Sequence, residues 1–163
     1  MYEILRECNI TKGSLYHHFP NGKEELLITC LQSMHKTITT DIEDTFNRFP
    51  TALEAAQPML EKLITDFERE GTIVGHTFSS MVSEMASVSE PVRNACLELY
   101  VKIQRIIADK LTADGFSEEN AHIIALSVTE AIEGAMLLCL TQKSSGPLKM
   151  ISQVLPNLVK EVE

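Results

Sequence analysis

The sequence lacks the patterns of a membrane-embedded or disulfide-stabilised protein. Its longest unbroken apolar run, Gly134 to Leu140, is far shorter than the about 18 residues that a membrane-spanning helix needs. No basic start leads into an apolar centre and a small-residue cleavage site, so we expect no secretory signal. The four cysteines form no CxxC pair and no zinc pattern with histidine. We therefore expect a cytoplasmic protein with reduced thiols in its core, and neither a membrane partner nor a cofactor.

Segments with the two-residue alternation of β-strands are also missing, whereas apolar residues recur at three- and four-residue spacing. This pattern predicts an all-α fold. Capping residues are expected at Thr11, Thr51, Ser89 and Ser117. Pro58 should kink or split its helix, and Pro156 should bend the last one. Helices are predicted at residues 1–8, 12–19, 23–48, 51–70, 74–86, 90–113, 117–142 and 148–162.

Acidic residues dominate the chain unevenly. The net charge is −9, but four basic and four acidic side chains cancel within residues 1–36, which also hold three histidines. The rest of the chain carries the whole excess of negative charge. An acidic body would repel DNA everywhere except at this neutral, histidine-rich tip.

Residues 1–19 have the order of a helix-turn-helix: a short helix, a tight turn at Asn9, and a second helix from Lys12. In that motif the second helix enters the major groove of DNA. Leu15 and Phe19 are four residues apart and should face the core, which leaves a polar face outside. Lysine suits guanine or phosphate, and a serine hydroxyl can bond to either.

The stretch TKGSLYHHFPNGKEELL resembles the signature of the TetR family of bacterial transcriptional regulators. The resemblance implies a homodimer that binds a palindromic operator and releases it when a small molecule binds. Two departures stand out: the turn at residues 20–23 is one residue longer than usual, which could displace Lys23, and the first helix of the family is missing. By position, the residues expected to contact DNA are Thr11, Lys12, Gly13, Ser14, Tyr16, His17, His18 and Lys23.

The remainder of the chain resembles the family more loosely. A helix-turn-helix DNA-binding segment and the start of a connecting helix are expected at residues 1–36, and an effector-binding and dimerisation domain at 37–163. Gly71–Gly75 and the stretch Glu133-Gly134-Ala135 resemble one subgroup of small-molecule-responsive repressors. Because the first helix is missing, we expect either a truncated chain or an omitted N-terminal stretch.

The helix predicted at 117–142 is apolar nearly all round, which indicates burial on more than one side. One stripe has the spacing of a coiled-coil seam and should face a second copy. The other stripe, Leu126, Thr129, Glu133, Met136 and Leu140, should face the interior of the chain. Together with the last helix, the first stripe would complete an intermolecular four-helix bundle. The residues predicted at this interface are Ile124, Val128, Ala131, Ala135, Leu138, Ile151 and Leu155.

The middle helices carry adaptable apolar side chains that could pack around a small effector or form plain core. Glu133 favours an effector site, because a carboxylate in an apolar stretch needs a basic partner, a shifted pKa or a ligand. The residues predicted to bind the effector are Phe78, Met81, Val82, Met85, Leu97, Tyr100, Glu133 and Met136.

Two other functions are compatible with the sequence. A helical dimer could bind a ligand or a protein without binding DNA. Alternatively, Glu119 and His122 form a Glu-x-x-His pair, which is half of a di-iron motif, but the chain has no second such pair. No serine- or cysteine-based catalytic pattern is present. We therefore expect a regulator and not an enzyme.

Overall fold

The computed structural model describes residues 6, 9, 11–72 and 89–160. Within these ranges the chain is entirely helical, apart from caps and turns. The helix predicted at 74–86, and that at 1–8 except Arg6, lie outside the described residues. The six helices are α1 (Lys12–His18), α2 (Lys23–Arg48), α3 (Ala52–Glu70), α4 (Glu90–Ala113), α5 (Glu118–Gln142) and α6 (Gly146–Lys160).

Four helices begin at the side-chain caps that the sequence predicted. The hydroxyl of Thr11 accepts a hydrogen bond from a backbone N–H three residues ahead, at 3.1 Å. Thr51, Ser89 and Ser117 do the same at 3.2, 3.3 and 3.2 Å. Each cap pairs one of the N–H groups that the first turn of a helix leaves without a partner.

Two helices differ from the prediction near prolines. α3 is one continuous helix through Pro58, so of the two predicted effects of this proline, a kink or a split, the split does not occur. α6 begins at Gly146, two residues earlier than expected, and its first backbone N–H donates to the Ser144 hydroxyl at 3.1 Å. Pro147 fits this first turn because a first-turn N–H has no partner within the helix.

α5 is the central helix of the fold. It packs against α4 on one side and α6 on the other, and α4 packs in turn against α2. By length and composition α5 could cross a membrane, but its inner face lies in the protein core, as in a core helix of a globular domain. The main core also takes Phe46 from α2, Leu60 from α3 and Leu155 from α6. A second, smaller cluster joins α2 to α4 through Leu31, Val92, Cys96 and Leu99.

Only some of the cysteines lie in the core. Cys96 and Cys139 are buried, and burial raises the pKa of the Cys96 thiol. Cys30 is exposed on α2, so the expectation of core thiols is wrong there. Cys8 lies outside the described residues.

Candidate functional site

α1 is a short helix anchored by one apolar residue and otherwise open to solvent. Leu15 is 2% exposed, and Phe19, which caps the helix, is half-buried. The sequence predicted this orientation from their four-residue spacing. All the residues predicted to contact DNA have exposed side chains or backbone, and their contacts with DNA remain a prediction. They are Thr11, Lys12, Gly13, Ser14, Tyr16, His17, His18 and Lys23.

The exposed face of α1 is partly organised before any ligand binds. The Lys12 ammonium lies 5.8 Å from the centre of the Tyr16 ring, within the range of a cation–π contact. The rings of His17 and His18 meet edge to face, with their centres 5.3 Å apart. This face presents hydrogen-bond donors and aromatic edges, which suits phosphate and base contacts.

The turn after α1 depends on Gly22. Its φ of 75° lies in the region that favours glycine, and a Cβ there would stand 3.4 Å from the Tyr16 ring. The preceding backbone N–H, of Asn21, donates to the Glu25 carboxylate at 2.8 Å. Lys23 follows as the first residue of α2 and is exposed. The long turn therefore packs closely beside the exposed face of α1.

A cavity of about 220 Å³ lies among α2, α3, α4 and α5. Most of its surface is apolar, and its polar groups are carboxylates, threonines and one lysine. It is lined by Thr37, Ile38, Asp41, Ile42, Met59, Lys62, Leu63, Asp66, Leu99, Ile103, Ile107, Thr129, Ile132, Glu133 and Met136.

The cavity contains only part of the predicted effector site. Glu133 and Met136, both predicted to bind the effector, line it. Leu97 is 58% exposed on the outside of α4 and does not line the cavity. Tyr100 is half-buried against the smaller core cluster and does not line the cavity. The other predicted residues, Phe78, Met81, Val82 and Met85, lie outside the described residues.

Sequence reasoning missed the lining contributed by α2 and α3. Ile38 and Ile42 of α2 border the cavity and are only half-buried. The Lys62 ammonium on α3 meets the Asp41 carboxylate on α2 at 2.6 Å. The signal available in the sequence was the acidic Asp41 beside the apolar pair Ile38 and Ile42.

The predicted dimer stripe on α5 is largely wrong. Ile124, Val128, Ala135 and Leu155 of the predicted set are buried in the core of their own protomer, so they cannot contact a second chain. The physical reason is that α4 and α6 pack against this side of α5. Of the remaining predicted residues, Leu138 is exposed, and Ala131 and Ile151 are half-buried.

The apolar surface of α5 lies on its opposite side. Leu126, predicted to face inward, is exposed there, and Leu137 is 59% exposed. A Cβ added to Gly134 would meet nothing within 4 Å. We call this surface the outer face of α5. Its large apolar members are Ile123, Leu126, Leu137 and Leu138, with Met150 exposed on the neighbouring α6.

Comparison with known proteins decides the family. A model of the TetR family of bacterial regulatory proteins matches residues 1–30. A model described as the C-terminal domain of LmrA/YxaF-like transcriptional regulators matches residues 52–154, more than half of the chain. The chain belongs to the TetR family of transcriptional regulators. The resemblance seen in the sequence is thereby confirmed, as is the all-α fold.

Relatives of this TetR-family chain come from several bacteria. The regulator LmrA of Bacillus subtilis is 37% identical over 97% of this chain and 84% of its own length. YxaF of the same organism, named an uncharacterised regulator, is 35% identical over 98% of this chain and 83% of its own length. A TetR regulator of Legionella pneumophila has the same fold, with a TM-score of 0.83 at 19% identity, covering 96% of this chain and 83% of the other.

Proposed function

We propose that this TetR-family regulator is a repressor that binds palindromic operator DNA as a homodimer and releases it when a small, largely apolar effector binds. One observation carries the proposal: α2 borders the effector cavity and begins at the exposed tip. Four cavity residues, Thr37, Ile38, Asp41 and Ile42, belong to α2. Asp41 lies about 27 Å along that helix from Lys23, at about 1.5 Å of rise per residue.

In this proposal the tip at residues 1–36 is the DNA-binding segment, and residues 37–163 form the effector-binding and dimerisation body. The exposed side chains of α1 supply the base and phosphate contacts, and Gly13 permits a close approach of the backbone to DNA. Lys23 adds a phosphate contact at the amino end of α2, where free backbone N–H groups favour an anion. The acidic body keeps the rest of the surface away from the polyanion.

The homodimer would form through the outer face of α5. Soluble monomers seldom expose several large aliphatic side chains on one helix face, whereas homodimer interfaces are rich in them. Gly134 lies among these side chains and leaves room for a second helix to approach. A two-fold arrangement of α5 and α6 would set the distance between the two tips.

The proposed protein is cytoplasmic and has no catalytic step, in keeping with relatives that are named transcriptional regulators. The di-iron alternative has little support. Glu119 and His122 are both exposed on α5, and the described part of the chain contains no group of three or more metal-ligating side chains. A di-iron centre needs several inward-facing carboxylates.

The experiment is a DNA-binding titration of the full-length protein at several salt concentrations. Operator fragments are first selected with the wild-type protein, and their affinities are measured by fluorescence anisotropy. Lys12→Ala together with Tyr16→Phe should weaken binding, and the loss of one phosphate contact should flatten the salt dependence by about one unit per protomer. Lys143→Ala, an exposed lysine at the end of α5, is the matched control and should bind as wild type. Unchanged affinity and salt dependence in the double variant would refute the proposal.

A further inference from the structure

The polar groups of the cavity are arranged to accept hydrogen bonds. The Thr37 hydroxyl already donates to the Ser33 carbonyl at 3.1 Å, and the Thr129 hydroxyl donates to the Ala125 carbonyl at 2.7 Å. A hydroxyl has a single proton to donate, so each of these threonines offers a ligand only its lone pairs. The threonine side chains that line the cavity therefore present acceptors to whatever binds there.

The charged groups of the lining add to this excess of hydrogen-bond acceptors over donors. Three carboxylates, those of Asp41, Asp66 and Glu133, line the cavity together with one ammonium, that of Lys62. Ionised carboxylates are acceptors only. The single ammonium is directed to the Asp41 carboxylate at 2.6 Å. Within the described part of the lining, the formal charges thus sum to two negative charges.

The carboxylates differ in their surroundings. Asp66 also meets the guanidinium of Arg69 at 2.9 Å, which offsets part of its charge from outside the lining. Glu133 is half-buried on α5, in a lining otherwise formed mostly by aliphatic side chains. Water screens charge poorly in such a place, so the sign of a ligand's charge matters more there than at the surface.

We propose that the cavity takes a small amphiphile with a cationic hydrogen-bond donor, such as a protonated amine, on an apolar body. The inference rests on the proposed function, because it names the chemical class of that effector. The apolar body would occupy the aliphatic part of the cavity, and the ammonium would lie near Glu133 and Asp41. An anionic ligand of the same shape would meet repulsion and find few donors.

The same chemistry connects the ligand to α2. A cation beside Asp41 competes with Lys62 for that carboxylate, and the Lys62–Asp41 pair joins α3 to α2. The pair is more than half exposed, so its own contribution to stability is small. Because the Lys62–Asp41 pair lies at the cavity, a cationic ligand would displace Lys62 from Asp41 before it broke other contacts.

The test uses three probes that share one apolar body: 4-phenylbutylamine, 4-phenylbutanol and 4-phenylbutanoate. Their affinities for the full-length protein are measured by isothermal titration calorimetry at neutral pH. We expect the amine to bind about tenfold more tightly than the alcohol, and the carboxylate more weakly than both. Glu133→Gln should abolish most of the preference for the amine over the alcohol. Glu119→Gln removes the same charge from an exposed site on α5, and should retain the preference.

Each outcome decides the inference. An alcohol or carboxylate that binds as tightly as the amine would overturn the assignment of a cationic ligand, and so would an amine preference that survives in Glu133→Gln. Failure of all three probes to bind would overturn it as well. The operator titration is a separate measurement, so a protein that prefers the amine but binds no DNA would support this cavity chemistry and refute the repressor.

Discussion

The Ser89 hydroxyl donates a hydrogen bond to the Glu24 carboxylate across 3.1 Å, although the two residues are 65 positions apart in the sequence. The same hydroxyl oxygen accepts the backbone N–H of Val92 and caps α4. Ser89 is buried, and Glu24 belongs to the first turn of α2, within the tip. The Ser89 side chain thus caps α4 in the body and also hydrogen-bonds to the first turn of α2, whose beginning belongs to the tip.

Ser89→Ala should therefore destabilise the protein more than the loss of an ordinary helix cap does. Loss of the cap and of the bond to a carboxylate should lower the free energy of unfolding by about 2 kcal/mol, measured by urea denaturation followed by circular dichroism. Ser117→Ala is the matched control, because that hydroxyl caps α5 at an exposed site. It should cost about 1 kcal/mol. Equal losses in the two variants would show that the bond to Glu24 adds nothing.

The turn at Gly22 gives a second prediction. Gly22→Ala places a Cβ at a backbone conformation that other residues seldom adopt, beside the Tyr16 ring, and should destabilise the protein by about 1–3 kcal/mol. Gly13→Ala is the control, because Gly13 lies in the first turn of α1 and its added Cβ would meet only the Thr11 hydroxyl at 3.8 Å. Thermal unfolding should show a lower midpoint for the first variant alone. A midpoint equal to that of the wild type would contradict the strained turn.

Gly134 tests the dimer without disturbing the protomer. Because its added Cβ meets open space, Gly134→Leu should fold normally, and leucine also favours the helix by up to about 1 kcal/mol. The larger side chain should separate two copies of the outer face of α5, so sedimentation velocity should show monomer. Gln57→Leu adds the same side chain at an exposed site on α3 and should leave a dimer. A dimer of undiminished affinity in Gly134→Leu would exclude this face.

Glu68 links α3 to α6 and gives a pH dependence. Hydrogen bonds from Lys149 and Ser145, both at 2.6 Å, hold the pKa of the Glu68 carboxyl below its ordinary value. The folded state therefore binds this proton less readily than the unfolded state. The stabilisation is present above the ordinary carboxyl pKa and is lost as the pH falls through the lowered one.

Glu68→Gln should accordingly reduce the loss of stability on acidification. Urea midpoints measured from neutral pH down through the carboxyl range should fall less steeply in this variant than in the wild type. Glu61→Gln, an exposed site on the same helix, is the control and should follow the wild-type curve. Parallel curves for all three proteins would mean that Glu68 makes no such contribution.

The sequence predicted features that depend on neighbours along the chain. The caps at Thr11 and Thr51, and the inward face of α1 at Leu15, follow from spacings of three or four residues. Which side of α5 is left exposed did not follow. That helix is apolar nearly all round, so periodicity could not tell the side covered by α4 and α6 from the exposed side. Leu126 was accordingly assigned to the wrong side.

The cavity shows the same difference between features set by nearby residues, which could be predicted, and contacts between distant segments, which could not. Glu133 was noticed because a charge stood out within an apolar helix. Asp41 and Lys62 were not, because each is ordinary on the surface of its own helix and only their approach across 2.6 Å makes them part of a site. Contacts between segments far apart in the sequence leave little trace in any one segment.

In the proposed mechanism, the length of α2 between the cavity and the tip would turn a small rotation at the cavity into a larger displacement at the tip. The helix has 26 residues, and the part from Asp41 to Lys23 acts as a lever arm. A tilt of about 5° about the cavity would move the far end by about 2 Å over an arm of about 27 Å. Hydrogen bonds to base edges tolerate only a few tenths of an ångström in length. In the proposed mechanism, a ligand that shifts α2 by less than the width of an atom at one end would therefore break the register of α1 with DNA at the other.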